Sequence, residues 1–221
     1  SSKYDAVFLG VGATKSTTYN LSDKELKNVY KSDDFLKAYN ENRFIKDLGT
    51  VVVIGGGNVA MDSARAAVKM GAEKVKILYR RDRAHMPARE VELEEALDDG
   101  VEFKELVRVI SANDSNGKIE SVNCIETEIV DGKAVDKSNG AEYKEEANTV
   151  VFAIGLKPNK NLVESQNIKL DDWGYVLIDE DGKTNLNNVY AGGDVTESKA
   201  TVCRALAGGK KAAQGIIKNI K

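Results

Sequence analysis

One glycine-rich segment, GGGNVA at residues 55–60, has the spacing of a dinucleotide-binding loop. Gly55, Gly57 and Ala60 occupy the three small positions of the fingerprint G-x-G-x-x-G/A. The first permits a tight turn, the second lets the backbone approach a pyrophosphate, and the third lets a helix pack closely on a strand. Backbone N–H groups of the first helical turn then point at the anion. The segment therefore predicts a dinucleotide site; the alternative is an ordinary glycine-rich turn between strand and helix.

About twenty residues after the glycines, the segment YRRDR at 79–83 places three arginines where the dinucleotide's ribose would lie. A site for NAD usually has Asp or Glu there, because a carboxylate accepts a hydrogen bond from the ribose 2′-hydroxyl. A 2′-phosphate would be repelled by a carboxylate, but Arg80, Arg81 and Arg83 can bind it bidentately. The arginines therefore predict NADP(H). The alternative is a solvated charged loop, since Asp82 lies among them.

His85 is the only histidine, and it carries no sign of a catalytic role. A catalytic histidine needs an orienting partner and a nucleophile, and neither is evident in the sequence. We expect His85 to lie in a surface loop near the adenosine. Cys124 and Cys203 are far apart, with no CxxC and no metal-ligand spacing, so neither a redox dithiol nor a metal site is expected. No catalytic residue is predicted.

The composition of the 221-residue chain excludes several classes of partner. The formal net charge is −3 and there is no basic run, which argues against nucleic acid. The longest apolar runs are only as long as strands, so no membrane span is expected. The sequence shows no signal peptide, and its cysteine usage fits a reducing cytoplasm. Ser1 in place of Met indicates a processed, tagged or truncated start.

The glycine loop and the arginines belong to a pattern in which strands and helices alternate. Short apolar runs next to glycines predict buried strands. These runs are YDAVFLG at 4–10, TVVVI at 50–54, KVKILY at 74–79, VEFKEL at 101–106 and NTVVFAIG at 148–155. Residues 12–48 are otherwise polar and loop-like, with one helix predicted in SDDFLKAYNEN at 32–42.

Further helices are predicted from alanine periodicity and from capping residues. One runs from about Asn58 to Met70 and ends at the C-cap glycine Gly71. Pro87 is expected to begin another helix at its first turn, and Gly100 to end it. The apolar face of that helix is predicted to comprise Leu93, Ala96 and Leu97. A last helix is predicted from about Thr201.

Between residues 107 and 148 the pattern changes to short alternating strands. The segments SNGK, DGK and SNG that separate these strands are hairpin turn signals. An antiparallel insertion therefore follows a β-α-β-α-β unit, and one further strand closes the sheet. The pattern predicts an α/β fold, a Rossmann-like doubly wound parallel sheet with an antiparallel β-meander crossover.

Three segments together resemble one family of flavoproteins. Residues 51–103, from VVVIGGGNVA to DDGVEF, are similar to the NADPH-binding domain of the glutamate synthase small subunit. Related domains occur in ferredoxin-dependent NADPH oxidoreductases and dihydropyrimidine dehydrogenase. YDAVFLGVGA at 4–13 resembles the strand that leads out of the flavin domain, and VYAGGDVTESKATVCRALAGGKKAAQGI at 189–216 resembles the C-terminal flavin-binding segment. Residues 13–30 depart from the family's proline- and glycine-rich linker.

The resemblance implies roles for individual residues. The glycine loop would hold the NADP(H) pyrophosphate, and Arg80 and Arg81 the 2′-phosphate. Gly193 and Asp194 would face the pyrophosphate and ribityl chain of FAD, and Thr201 would begin the helix that faces the isoalloxazine. The complete set of predicted cofactor-binding residues is Gly55, Gly56, Gly57, Asn58, Val59, Ala60, Arg80, Arg81, Arg83, Gly155, Gly193, Asp194 and Thr201.

The resemblance also implies a domain plan and a chemistry. In the family, an NADP domain is inserted into an FAD domain, and an iron–sulfur domain precedes both. Hydride passes from NADPH to FAD, and electrons then pass through iron–sulfur clusters. Residues 48–158 would be the NADP(H) domain, and 1–47 and 159–221 partial FAD-domain segments. The expected partners are the iron–sulfur domain and a large glutamate synthase-type subunit or ferredoxin.

We expect this chain to be a fragment of such a parent enzyme, because only one glycine loop is present and the first flavin loop is missing. Two alternatives remain open. One is a stand-alone NADP(H)-binding module, such as a sensor or regulatory subunit. The other is a small oxidoreductase that uses NADP(H) directly, which would need an acid or base beside the nicotinamide. The upstream reading frame would distinguish a fragment from a module.

The chain alone is expected to purify without bound flavin and without NADPH-dependent reductase activity. The pyrophosphate of FAD requires a glycine loop at a helix N-terminus, and the only such loop is predicted to bind NADP(H). The measurement is an absorbance scan after excess FAD and desalting, followed by an assay with an artificial electron acceptor. A yellow, stoichiometric and active product would contradict this expectation.

Overall fold

The computed structural model describes residues 3–220, so Ser1, on which the expectation of a truncated start depends, lies outside the described residues. The chain divides into two compact units. The inner unit is Ser16–Gly155, and the terminal unit combines the residues up to Lys15 with those from Leu156 onward. The domain boundaries predicted after residues 47 and 158 remain a prediction.

Thirteen strands and five α-helices lie within residues 3–220. The strands are β1 Val7–Leu9, β2 Lys15–Ser16, β3 Val29–Lys31, β4 Thr50–Ile54, β5 Lys74–Leu78, β6 Glu102–Lys104, β7 Val107–Ser115, β8 Lys118–Val130, β9 Lys133–Asp136, β10 Glu142–Glu146, β11 Thr149–Phe152, β12 Leu156–Lys157 and β13 Val189–Ala191. The helices are α1 Ser32–Asn40, α2 Asn58–Lys69, α3 Glu90–Asp98, α4 Lys160–Glu164 and α5 Val202–Asn219, and a 3₁₀-helix spans Arg83–His85.

The inner unit is built on a five-stranded parallel sheet with the strand order β3-β11-β4-β5-β6. Every residue of the central strand β4 is buried. Successive side chains of a strand point to opposite faces, and here Val51 and Val53 belong to one apolar cluster while Val52 and Ile54 belong to another. The sheet is therefore covered on both faces, which explains the uninterrupted apolar run TVVVI.

Helices α1, α2 and α3 contribute to the first of these clusters. Ala60, Ala64 and Ala67 of α2 are fully buried, and they pack with Phe35 of α1 and Leu93 of α3. Because alanine side chains are short, α2 can lie close to the sheet. This close packing holds the first turn of α2 beside the end of β4.

The predicted start of α3 at Pro87 is wrong, because the helix begins at Glu90. The intervening amides are engaged elsewhere: Ala88 N–H donates to the Gly56 carbonyl over 3.1 Å, and Arg89 N–H donates to Asn58 Oδ1 over 3.1 Å. Arg89 itself is extended, with φ −70° and ψ 145°. These hydrogen bonds keep residues 87–89 outside the helix, so α3 begins three residues after Pro87.

The predicted apolar face of α3 is only partly correct. Leu93 and Ala96 are fully buried, but Leu97 is 40% exposed. The buried pair lies on the side of α3 that packs with α2 in the first apolar cluster. Gly100 follows the helix with φ 89°, the left-handed conformation expected of a C-cap glycine.

The other face of the parallel sheet is covered by the predicted β-meander. Strands β7, β8 and β10 pair antiparallel, and β9 pairs with the distal part of β8. Two of the connecting turns have positive φ at both central residues, 54° and 79° at Asn116 and Gly117 and 50° and 72° at Asp131 and Gly132. These are the values that a type I′ hairpin requires. The α/β fold with a parallel sheet and an antiparallel meander crossover is confirmed.

In the terminal unit, β1 and β13 pair in parallel, with Val7 opposite Val189. A small apolar cluster lies beside this pair and contains Val163, Ile168, Val176, Ala191 and Val195. Helix α5, with 18 residues, packs on β13. Across residues 3–220, we find no helix with both the length and the apolar character needed to cross a membrane.

A group of three charges, of which Lys76 and Glu145 are buried and Lys104 is partly exposed, joins the meander to the parallel sheet. Glu145 of β10 accepts a hydrogen bond from Lys76 Nζ of β5 over 2.7 Å and another from Lys104 Nζ of β6. The side chains of Lys76 and Glu145 are only 7% and 8% exposed. Burial favours a higher pKa for Glu145, but the ammonium groups of Lys104 and Lys76 outweigh it and hold the pKa below its usual range.

We expect Glu145→Gln to lower the free energy of unfolding at neutral pH by about 3 kcal/mol, since a buried cation loses its counter-charge. Because the folded-state pKa of Glu145 is depressed, its contribution is present above the unfolded pKa of about 4.3 and is lost as pH falls through the folded-state pKa. Urea unfolding from pH 7 to pH 3 measures both effects. Glu120→Gln, at an exposed position of β8, is the control; equal acid slopes for the two variants would contradict the assignment.

Candidate dinucleotide-binding site

The glycine loop lies at the carboxyl end of β4, where the order of strands in the sheet changes direction. From β4 the chain continues through α2 to β5 on one side, whereas β11 enters on the other side from the meander. Ligands of open α/β sheets bind in the crevice at such a switch point. Gly155 follows β11 at the same edge of the sheet, with φ 106° and no atom within 4 Å of an added Cβ. Gly55 and Gly155 are thus brought to one edge.

The three consecutive glycines have three different surroundings. A Cβ on Gly55 would lie 2.3 Å from the Ala153 carbonyl oxygen, and Gly55 also has φ 150°. A Cβ on Gly56 would lie 2.4 Å from the ring of Tyr79. A Cβ on Gly57 would meet no atom within 4 Å. Gly55 and Gly56 therefore allow the loop to fold, whereas Gly57 leaves open space above the loop.

The first turn of α2 presents free hydrogen-bond donors to that space. Ala60 N–H donates to the Gly57 carbonyl, but within residues 3–220 the N–H groups of Gly57, Asn58 and Val59 have no acceptor. The first turn of α2 contains no acidic residue that would compete with an anion. Free N–H groups and the open space at Gly57 fit a dinucleotide pyrophosphate. The assignment of these residues to a cofactor remains a prediction.

Arg80 and Arg81 follow β5, the strand next to β4, and their backbone is fixed by one residue of the meander and by the residue that precedes it. The carbonyl of Arg80 accepts a hydrogen bond from Thr127 Oγ1 over 2.8 Å, and that of Arg81 accepts one from Leu106 N–H over 3.1 Å. In the part of the chain that the structure describes, no carboxylate lies within 4.0 Å of either guanidinium. Both guanidinium groups are therefore free to bind an external anion.

Arg83 differs from the other two arginines because it has partners within the chain. Its guanidinium pairs with Glu90 at the start of α3, and its backbone N–H donates to the Glu105 carboxylate. Its predicted contact with a 2′-phosphate remains a prediction. The internal ion pair makes it a weaker candidate than Arg80 or Arg81.

His85 forms a local turn with Asp82. Its Nδ1 lies 2.6 Å from Asp82 Oδ1, and the same oxygen accepts the His85 backbone N–H over 2.9 Å. The hydrogen bond from His85 holds the pKa of the Asp82 carboxyl below its usual range. The imidazole is exposed and is paired with a carboxylate, which caps the 3₁₀-helix. Nothing in this geometry is a nucleophile that His85 could activate.

The remaining predicted cofactor residues lie in the terminal unit. Gly193 is buried with φ 80°, and a Cβ on Gly208 of α5 would lie 2.8 Å from the Gly193 nitrogen, so α5 crosses this loop backbone to backbone. Thr201 Oγ1 accepts the Arg204 N–H over 3.3 Å and caps α5. Asp194, half-buried, follows Gly193. A positive-φ glycine and the N-terminus of a long helix suit the polar part of a dinucleotide, and the FAD assignment remains a prediction.

Two contributors to the site carry no motif of their own. Tyr79 packs its ring on Gly56, and Glu105 fixes the backbone of Arg83. For Tyr79 the sequence does offer a usable signal, which is a large aromatic residue directly after β5. That position lies beside the glycine loop. No described residues form a group of three or more His, Cys, Asp or Glu side chains able to hold a metal ion.

Comparison with known proteins gives the class to which this fold and site belong. The profile of the family described as pyridine nucleotide-disulphide oxidoreductase matches residues 1–213, and the chain belongs to this family. It is 34% identical over 238 residues to the glutamate synthase [NADPH] small chain of Escherichia coli, covering 98% of this chain and 50% of that protein. It is 33% identical over 224 residues to the NADP(+)-dependent formate dehydrogenase subunit beta of Moorella thermoacetica, covering 96% and 31%.

A solved structure agrees with the fold. FprA, a Mycobacterium tuberculosis oxidoreductase, superposes with a TM-score of 0.81 at 21% identity, covering 99% of this chain and 64% of that one. The expected resemblance to the glutamate synthase small subunit family is confirmed. The chain spans half the length of the Escherichia coli relative, and less of the Moorella protein.

The open space at Gly57 leads to a test of the loop. We expect Gly57→Val to abolish NADPH binding without lowering the unfolding temperature, because its side chain would fill only the space above the loop. Gly56→Ala is the contrasting variant, since its Cβ would strike the Tyr79 ring and destabilise the inner unit. Calorimetric titration and thermal circular dichroism measure the two effects. Retained NADPH affinity in a folded Gly57→Val chain would make the loop a purely structural turn.

Proposed function

We propose that the inner unit binds NADP(H), with the pyrophosphate at the glycine loop and the 2′-phosphate at Arg80 and Arg81. The observation that carries this proposal is that neither guanidinium has a carboxylate partner among the described residues, although both follow the strand next to the loop. Bidentate binding of a phosphate by guanidinium groups is strong and geometrically specific. Two free arginines at this position are therefore best explained by a phosphate on the ribose.

The surrounding carboxylates support NADP(H) over NAD(H). The segment that follows β5 contains one acidic residue, Asp82, and its carboxylate is occupied by both the backbone and the side chain of His85. Glu105, which precedes β7, accepts the Arg83 N–H. An NAD site would need a free carboxylate for the ribose 2′-hydroxyl. Both of these carboxylates are already engaged.

We further propose that the protein containing this chain is a flavin-dependent oxidoreductase. Bound FAD would accept hydride from NADPH and pass electrons on to iron–sulfur clusters. Gly193, Asp194 and Thr201 of the terminal unit would contact the FAD. Support comes from the family and from relatives named as an NADPH-dependent glutamate synthase small chain and as a formate dehydrogenase subunit. Its partners would be an iron–sulfur domain and a large glutamate synthase-type subunit or ferredoxin, in the cytoplasm.

The proposed cofactor preference is tested by titrating the chain with NADPH and with NADH by calorimetry. We expect tighter binding of NADPH, and we expect Arg81→Ala to weaken NADPH binding tenfold or more, because a charge-assisted hydrogen bond contributes about 1.5–3 kcal/mol. NADH affinity should change little. Arg43→Ala, which removes an exposed arginine paired with Glu41, is the matched control. Equal affinity of the unmutated chain for both cofactors would refute the proposal.

A further inference from the structure

We infer that Tyr79 is a positioning residue that couples the glycine loop to the arginine segment and so sets the preference for a 2′-phosphorylated dinucleotide. The inference rests on the proposed binding of NADP(H). Tyr79 is the residue directly before Arg80 and Arg81, and it is only 7% exposed. It therefore stands between the two parts of the site that recognise different ends of the ADP moiety.

The ring of Tyr79 packs against the glycine loop at Gly56. A Cβ on Gly56 would lie 2.4 Å from the ring, so the loop backbone and the ring are in direct contact. On its own backbone, Tyr79 N–H donates to the Lys104 carbonyl over 2.9 Å, and its carbonyl accepts Val107 N–H over 3.0 Å. These hydrogen bonds hold the backbone of Tyr79 on the sheet and so keep its ring in place. If the ring moved, Gly56 would lose this contact.

The hydroxyl of Tyr79 fixes the far side of the arginine segment. It donates to the His85 carbonyl over 2.8 Å, across the turn that contains Arg80, Arg81 and the 3₁₀-helix. Burial raises the pKa of Tyr79, and Arg81 and Arg80 offset this only in part, so the hydroxyl keeps its proton and remains a donor. One side chain therefore contacts the glycine loop through its ring and the end of the arginine turn through its oxygen.

The segment after the turn returns to the glycine loop and completes the connection. Ala88 N–H donates to the Gly56 carbonyl, and Arg89 N–H donates to Asn58 Oδ1, each over 3.1 Å. Residues 79–89 are consequently attached to the loop at both ends. This gives a role to the segment HMPAR, whose first residue accepts the Tyr79 hydrogen bond and whose last two residues donate to the loop.

If the hydrogen bond from the Tyr79 hydroxyl to the His85 carbonyl is lost, we expect the site to discriminate less between NADPH and NADH. If the hydroxyl is removed, the ring still supports Gly56, so the pyrophosphate site is preserved. The far end of the arginine turn, however, loses its hydrogen bond to the ring. Thr127 and Leu106 still hold the backbone of Arg80 and Arg81, but both guanidinium groups become less well placed. NADPH should therefore lose affinity, whereas NADH, which lacks the 2′-phosphate, should not.

The test compares Tyr79→Phe with Thr149→Val. Thr149 is a control in the same unit, because its buried hydroxyl also donates to a backbone carbonyl, that of Leu48, over 2.9 Å, and it lies at the start of β11, away from the glycine loop. We expect Tyr79→Phe to weaken NADPH binding about three- to tenfold, the range for one hydrogen bond, with less than a twofold change for NADH. Thr149→Val should lower the unfolding temperature at most and leave both affinities unchanged.

The possible results distinguish a failure of NADP(H) binding from a failure of the role of Tyr79. If the unmutated chain binds NADPH no better than NADH, the proposed function itself fails. If it prefers NADPH and Tyr79→Phe keeps that preference, or weakens both cofactors equally, the positioning role is overturned. Should Tyr79→Phe not fold, Arg89→Pro decides, because it removes the N–H that donates to Asn58 at a residue whose φ of −70° suits proline: a preserved preference for NADPH again overturns the role.

Discussion

The close approach of two backbone segments at the ends of β4 and β11 governs the geometry of the inner unit. Ala153 N–H donates to the Ile54 carbonyl over 2.8 Å, and a side chain on Gly55 would meet the Ala153 carbonyl oxygen at 2.3 Å. Only glycine allows the chain to turn there and enter α2 at once. The direction of α2, the exposure of its first N–H groups and the open space at Gly57 all follow from that turn.

The charges around the site are distributed by the same local folding. Acidic side chains are abundant near the arginines, yet three of the nearby carboxylates have an internal partner: Glu90 pairs with Arg83, Glu92 with Arg89, and Asp82 with His85. Arg80 and Arg81, at the end of β5, have no carboxylate partner among the described residues. A chain with a formal net charge of −3 can thus present a cationic contact to a phosphate.

Most of the fold could be predicted from the sequence, because strong local signals coincide with tertiary structure. The apolar run TVVVI, the fingerprint at 55–60 and the turns at Asn116-Gly117 and Asp131-Gly132 all form as predicted. The sequence does not predict strand β3 from VYK, since three residues show no periodicity and the strand depends on pairing with β11. Neither the late start of α3 nor the role of Tyr79 could be predicted, because both depend on contacts with the glycine loop.

The way the terminal unit is divided along the chain bears on the order of folding. Val7 pairs with Val189, so this parallel pair must close a very long loop if nothing between them has folded. Once the inner unit folds, its own ends are adjacent, because Thr17 N–H donates to the Gly155 carbonyl over 2.9 Å. The effective loop then shrinks about fourfold, which lowers the entropic cost of closure by about 1.2 kcal/mol. Folding of the inner unit before the terminal unit would therefore make the pairing of β1 with β13 less costly.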